Sequence, residues 1–161
     1  MNARVVRAPL WSAAALFLLN LISAAVAHEY VLGGLRIVHP WTHATPPGAT
    51  TGVAYMRLVN TGSVPMRLTG ATTPVAQRVE IHEMSVAGGV MRMRRVPSLD
   101  IGAGATVELK PGGIHLMLVG LNRALQQEDM IPLTLAFANG ATVSIDLYAE
   151  AIGVGPGHHN H

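Results

Sequence analysis

The sequence predicts an all-β single domain of Greek-key type, a sandwich or small barrel, and three observations carry that expectation. Between Tyr30 and Glu150 the chain consists of short β-branched and aliphatic runs, and no stretch sustains the 3.6-residue period of an amphipathic helix. Those runs are punctuated by 17 glycines and 10 prolines, many of them in turn-forming combinations. So many strands in so short a chain must pack face to face or close into a barrel to bury their apolar sides.

Strands are expected at 35–38, 52–60, 66–71, 78–84, 91–96, 105–109, 114–119, 131–137 and 142–148. Turns are expected at Thr45-Pro46-Pro47-Gly48, Ala87-Gly88-Gly89, Lys110-Pro111-Gly112-Gly113 and Asn139-Gly140. The last of these, lying between two alternating runs, is a hairpin signal. Residues 122–129 allow one short helical turn that carries no chemistry. Trp41, one of 2 tryptophans, reads as a core anchor.

The ends of the chain differ from its middle. Arg4 and Arg7 precede an apolar run over 10–22 that closes on Ala25-Val26-Ala27, the pattern of a secretory signal peptide over 1–27. The run is broken by Ser12 and Asn20 and is shorter than the ~20 apolar residues of a spanning helix, so no membrane anchor is expected after cleavage. With 0 cysteines the chain also offers no lipid-attachment cysteine and no disulfide. The expected organisation is a leader at 1–27, one domain at 28–150 and a flexible tail at 151–161, with the protein in the periplasm. Removing Arg4 and Arg7 takes the 11 basic residues to nine, against 9 acidic ones. A balanced chain has no electrostatic case for nucleic acid or an anionic membrane surface. Arg92, Arg94 and Arg95 read as a solvated strand face.

Chemistry is concentrated in four residues, His82, Met93, His115 and Met117, which form an H-x10-M-x21-H-x-M array. On a strand, residues 114, 116 and 118 share one face and His115 and Met117 the other. Residues two apart on a strand are about 7 Å apart, so His115 and Met117 can converge on one ion. The same alternation pairs Met91 with Met93 and His82 with Met84, making Met84 and Met91 possible auxiliary ligands. Imidazole and thioether together, without thiolate, select Cu(I), whereas zinc, calcium and magnesium draw on thiolate, carboxylate, carbonyl or water.

Methionine ordinarily fills cores, and a strand histidine is ordinarily a hydrogen-bonded polar residue. Here Met91 and Met93 alternate with arginines rather than with apolar residues, and packing alone would not place histidines in phase with them. His39 and His43 carry surface or packing roles. The tail ends in His158, His159 and His161 after Gly155-Pro156-Gly157, a tract able to bind metal or simply to be solvated. Its imidazoles, without thioether, would suit Cu(II). There is no phosphate loop, no G-x-S-x-G elbow and no H-E-x-x-H motif, so no enzyme is indicated. A blue-copper site would need a cysteine.

The array, together with His39-Pro40-Trp41, Thr45-Pro46-Pro47-Gly48, Gly88-Gly89-Val90-Met91-Arg92-Met93, Pro111-Gly112-Gly113-Ile114-His115-Leu116-Met117 and Pro132-Leu133-Thr134-Leu135, resembles the PCuAC family of periplasmic copper chaperones. The resemblance covers nearly the whole exported chain. It implies a cupredoxin-like fold that holds Cu(I) through His82, Met93, His115 and Met117. It also implies delivery to an acceptor cuproprotein, a cytochrome oxidase subunit or another copper chaperone, by exchange of ligands. Two other classes stay open. A copper buffer or resistance protein without a dedicated acceptor would share every feature. A copper enzyme would use His28, exposed as the new terminus by cleavage, in a chelating brace.

Overall fold

The computed structural model describes residues 29–152. The expected leader, His28 and the tail histidines His158, His159 and His161 lie outside them. Eleven strands follow in chain order: β1 Glu29–Leu32, β2 Leu35–His43, β3 Thr51–Asn60, β4 Met66–Thr72, β5 Ala76–Ala87, β6 Val90–Val96, β7 Leu99–Ile101, β8 Thr106–Leu109, β9 Ile114–Leu121, β10 Met130–Phe137 and β11 Thr142–Glu150. The all-β expectation holds, with nine strands where the sequence placed them and two additional short ones, β1 and β7. Three or four residues are too few to display a period.

Hydrogen bonds join the strands into one open sheet in the order β6-β5-β9-β3-β2-β11-β10-β4-β7, with β1 added to β2 and β8 to β3. Every pairing is antiparallel except β11 with β2. The sheet curls, so that β4, near one end of the order, packs against β5, near the other. Its concave side encloses Leu35, Ile37, Leu58, Leu68, Leu116 and Ile131, all with 0% exposure. A face so fully withdrawn from water supplies the main driving force for the fold, at about 25 cal/mol per Å² of apolar area. The convex side carries the chemistry.

Two local features position that side. The β5–β6 hairpin turns on Gly88 (φ 59°) and Gly89 (φ 77°), between the paired residues Ala87 and Val90. Positive φ at both central residues is the tight turn whose twist matches the strands, and it fixes the hairpin register without slack. β2 is longer than expected because it runs through Pro40. The register against β3 shifts between Val38 and Trp41, and His39 takes a φ of 51°. Proline's missing N–H is tolerated at such a bulge. The inserted residue reverses the inside–outside phase, so Ile37 faces the core while Trp41, opposite Tyr55, stands on the convex face. Trp41 is buried, but outside the main core. The expected anchor is thus buried, with Tyr55 as its partner rather than the main cluster.

The helical turn expected at 122–129 does not form. Asp129 instead accepts hydrogen bonds from Arg123 Nη1 (2.6 Å) and the Gln126 N–H (3.1 Å), closing an irregular loop in which Glu128 has a φ of 70°. The Arg123 guanidinium and that backbone N–H hold the Asp129 carboxyl below its ordinary range.

The turn from β1 to β2 brings two backbones together. A Cβ on Gly34 would meet Gly62 Cα at 2.8 Å and its nitrogen at 2.9 Å. Because the obstacle is main chain, Gly34→Ala is expected to destabilise the fold by about 1–3 kcal/mol, read as a lower urea midpoint. An unchanged midpoint would show that the two turns part freely.

Candidate metal centre

The convex face of β6, β5 and β9 is organised in rows, because residues directly opposite across antiparallel strands share a face. Glu80 stands opposite Met117, His82 lies opposite both His115 and Arg95, Met84 pairs with Met93, and Val86 pairs with Met91. All four residues of the array, with Met84 and Met91, therefore occupy one face. His82 and His115 come together in its centre, with ring centroids 5.8 Å apart. Metal–imidazole bonds of about 2 Å bring one ion within reach of both rings.

The thioethers are placed unequally. Strand spacing of about 4.8 Å and a rise of about 3.3 Å per residue put the Met84 and Met117 backbones about 7 Å from the middle of the histidine pair, on opposite sides of it. Met93, one strand further out, stands about 10 Å away by the same spacing. Met84 lies between Met93 and the histidines, a relation invisible in the linear motif. Met91 projects near the hairpin tip and is 66% exposed, against 47% for Met93.

That face is closed to solvent at one position. His115 is 3% exposed. Its cover is Tyr55, at 6.4 Å between ring centroids, which in turn packs on Trp41 at 4.6 Å. The β2 bulge is what delivers Trp41 to this side. Burial raises the Tyr55 phenol above its ordinary pKa. His43 packs edge-on against Trp41 at 4.8 Å, in keeping with a packing role. His39 is exposed, 3.5 Å from the Glu150 carboxylate. Arg92, Arg94 and Arg95 are exposed along β6, and Arg94 pairs with Glu83.

Polar groups around the pair are specifically engaged. His115 Nδ1 lies 3.1 Å from the Gly113 carbonyl, and His82 Nε2 lies 2.9 Å from Glu80 Oε2. The other Glu80 oxygen accepts from Arg78 Nε at 2.9 Å, with Arg95 Nη1 at 3.8 Å. Arg78 first, then His82, with the charge of Arg95, hold the Glu80 carboxyl below its ordinary range. Sequence reasoning passed over Glu80, although its Glu-x-His spacing placed it on the same strand face. Among the described residues no three His, Cys, Asp or Glu side chains form a group able to hold a metal ion. The thioethers of Met84, Met93 and Met117 share the face of His82 and His115.

The family model described as "Putative lipoprotein LpqE-like" matches residues 35–148. The chain belongs to the LpqE-like family, which is the PCuAC family. A curated relative, "Putative lipoprotein Lxx21020" of Leifsonia xyli subsp. xyli (strain CTCB07), is 36% identical over 110 residues, 68% of this chain. The aligned region spans 65% of that relative's length. Among solved PCuAC structures, "Copper-bound PCuAC domain from PmoF2" has a TM-score of 0.66 at 30% identity, covering 77% of this chain and 98% of its own. "Solution structure of CuI-DR1885 from Deinococcus Radiodurans" has a TM-score of 0.60, also at 30% identity, over 80% of this chain and 83% of its own. The cupredoxin-like PCuAC fold is shared with both.

Proposed function

We propose that this PCuAC protein carries Cu(I) outside the cytoplasm and passes it to an acceptor cuproprotein. The observation that carries the reading is the His82–His115 pair, set on a face whose in-phase neighbours include the thioethers of Met84, Met93 and Met117 and where, among the described residues, no three His, Cys, Asp or Glu form a metal-holding group. Neutral imidazole with thioether is a soft donor set suited to Cu(I). Copper-bound PCuAC structures, one named for CuI, support the same cargo. The ligands proposed are His82, His115, Met117 and Met93, with Met84 as the thioether best placed to share or replace Met93. Met91 is the outermost sulfur and the first an incoming copper or acceptor would meet.

Delivery proceeds by ligand exchange. An acceptor His, Met or Cys takes a coordination position as Met93 lets go, while buried His115 keeps its hold longest. The ion is then never free. The leader-like 1–27 and the lipoprotein description of the relative support export. The acceptor is a copper centre of the cytochrome oxidase type or a second copper chaperone. Anaerobic titration against a Cu(I) chelator, followed by mixing with apo acceptor, tests this. One Cu(I) per chain should bind and pass to the acceptor at a rate indifferent to added chelator. Transfer that chelator abolishes would mark a buffer that merely leaks copper.

The tail is proposed as a second port for Cu(II), through His158, His159 and His161. Each imidazole must be neutral to bind, so loading there should fall as pH drops through about 6.5. A chain ending at Gly157 is expected to lose part of the Cu(II) electron paramagnetic resonance signal. An identical signal would leave the tail without a metal role.

A further inference from the structure

Glu80 touches the site without belonging to its proposed donor set, and its geometry decides which atom of His82 can hold copper. The Glu80 carboxylate lies 2.9 Å from His82 Nε2. A carboxylate accepts, so Nε2 carries the proton; turning the ring over would set a carbon against the oxygen. His82 Nδ1 is left buried and without a hydrogen-bond partner. If Nδ1 also bore a proton, that buried N–H would be an unsatisfied donor. The Glu80 contact thus selects the Nε2–H tautomer, which carries its lone pair on Nδ1. His115 is arranged the other way, because its Nδ1 donates to the Gly113 carbonyl at 3.1 Å and so frees Nε2.

We infer that Glu80 is a positioning residue that locks His82 in its Nε2–H tautomer, so that copper is held by Nδ1 of His82 and Nε2 of His115. This rests on the Cu(I) reading above and adds to it the identity of the donor atoms and the residue that selects one of them. The lock is itself braced. Arg78 Nε holds the second Glu80 oxygen at 2.9 Å, and Arg95, directly across from His82, approaches the same oxygen at 3.8 Å. Glu80 is thus oriented from both sides before any ion arrives. A carboxylate behind a ligating imidazole fixes ring and tautomer and raises ligand basicity, and losing such a partner typically costs 10- to 100-fold in metal affinity. Glu80 is left out of the ligand set because Arg78 Nε occupies its Oε1 and His82 Nε2 its Oε2.

The test is two-bond proton–nitrogen correlation spectroscopy of the protein with 15N-labelled histidine, first without copper and then with one equivalent of Cu(I) under anaerobic conditions. The apo spectrum should show His82 as the Nε2–H tautomer and His115 as the Nδ1–H tautomer. Copper should then shift His82 Nδ1 and His115 Nε2. Glu80→Ala is expected to mix the His82 tautomers and weaken Cu(I) binding about 10- to 100-fold, whereas Glu80→Gln, whose amide oxygen still accepts from Nε2–H, should recover most of both. An Nδ1–H tautomer in the wild-type apo protein overturns the inference, even if Glu80→Ala fails to fold. So does a Glu80→Ala variant with wild-type tautomers and affinity. The predicted apo tautomers in a protein that takes up no Cu(I) would instead overturn the copper reading, and with it the donor assignment.

Discussion

Replacing Met93 and Met117 together by alanine is expected to lower Cu(I) affinity by at least about two orders of magnitude, because loss of a mere supporting partner already costs 10- to 100-fold. Competition against a Cu(I) chelator measures it, and x-ray absorption should show the sulfur scatterers vanish while nitrogen remains. The fold should survive, since Met93 is 47% exposed and Met117 lies on the convex face, away from the core. The single variant Met93→Ala should lose less, because Met84 stands directly opposite it and nearer the histidines. Adding Met84→Ala to Met93→Ala should remove that reserve. Undiminished affinity in the Met93/Met117 double variant would remove both thioethers from the site and leave the histidine pair with some other partner.

The second large effect is structural. Leu116 is fully buried between the two residues of the His115–Met117 clip, and its neighbours across the sheet are Ala54 and Ile81. Leu116→Ala is expected to destabilise the apo protein by about 2–5 kcal/mol through lost burial and the cavity left behind. Urea unfolding reads this directly. Cu(I) binds the folded state and should restore part of the loss in proportion to its affinity. The copper-dependent gain in midpoint therefore separates damage to the core from damage to the site. A loss well under 1 kcal/mol would show that the cavity collapses.

Much of the fold is legible in the sequence because strand period and turn chemistry are local. Gly88-Gly89 and Asn139-Gly140 mark hairpins that the structure contains, and the alternation at 114–119 assigns Leu116 and Leu118 to the core. The site is legible to the extent that it depends on phase within one strand. His115 with Met117, and His82 with Met84, share faces for that reason. What spacing does not display is register between strands. That His82 falls directly opposite His115, that Met84 intervenes before Met93, and that Tyr55 covers His115 all depend on pairings between distant segments. The partnership of Glu80 and His82 lies between these cases. Their faces follow from period two, but the bond follows from Arg78 and Arg95 closing around the carboxylate.

The bulge in β2 makes the strand behave like a message whose reading frame changes midway. Before His39 the odd-numbered residues Leu35 and Ile37 point into the core; after it the odd-numbered Trp41 and His43 pack with Tyr55 on the opposite side. Deleting one of residues 39 and 40 would only close the bulge, leaving one residue against one between the pairs Val38–Arg57 and Trp41–Tyr55. Straightening the segment at its present length would instead restore the original frame and transpose everything downstream. In such a straightened strand Trp41 would be driven toward the core and buried Thr42 turned out of it, while Tyr55 lost its companion over His115. At its present length, the extra residue looped out at the bulge is what keeps Trp41 over Tyr55.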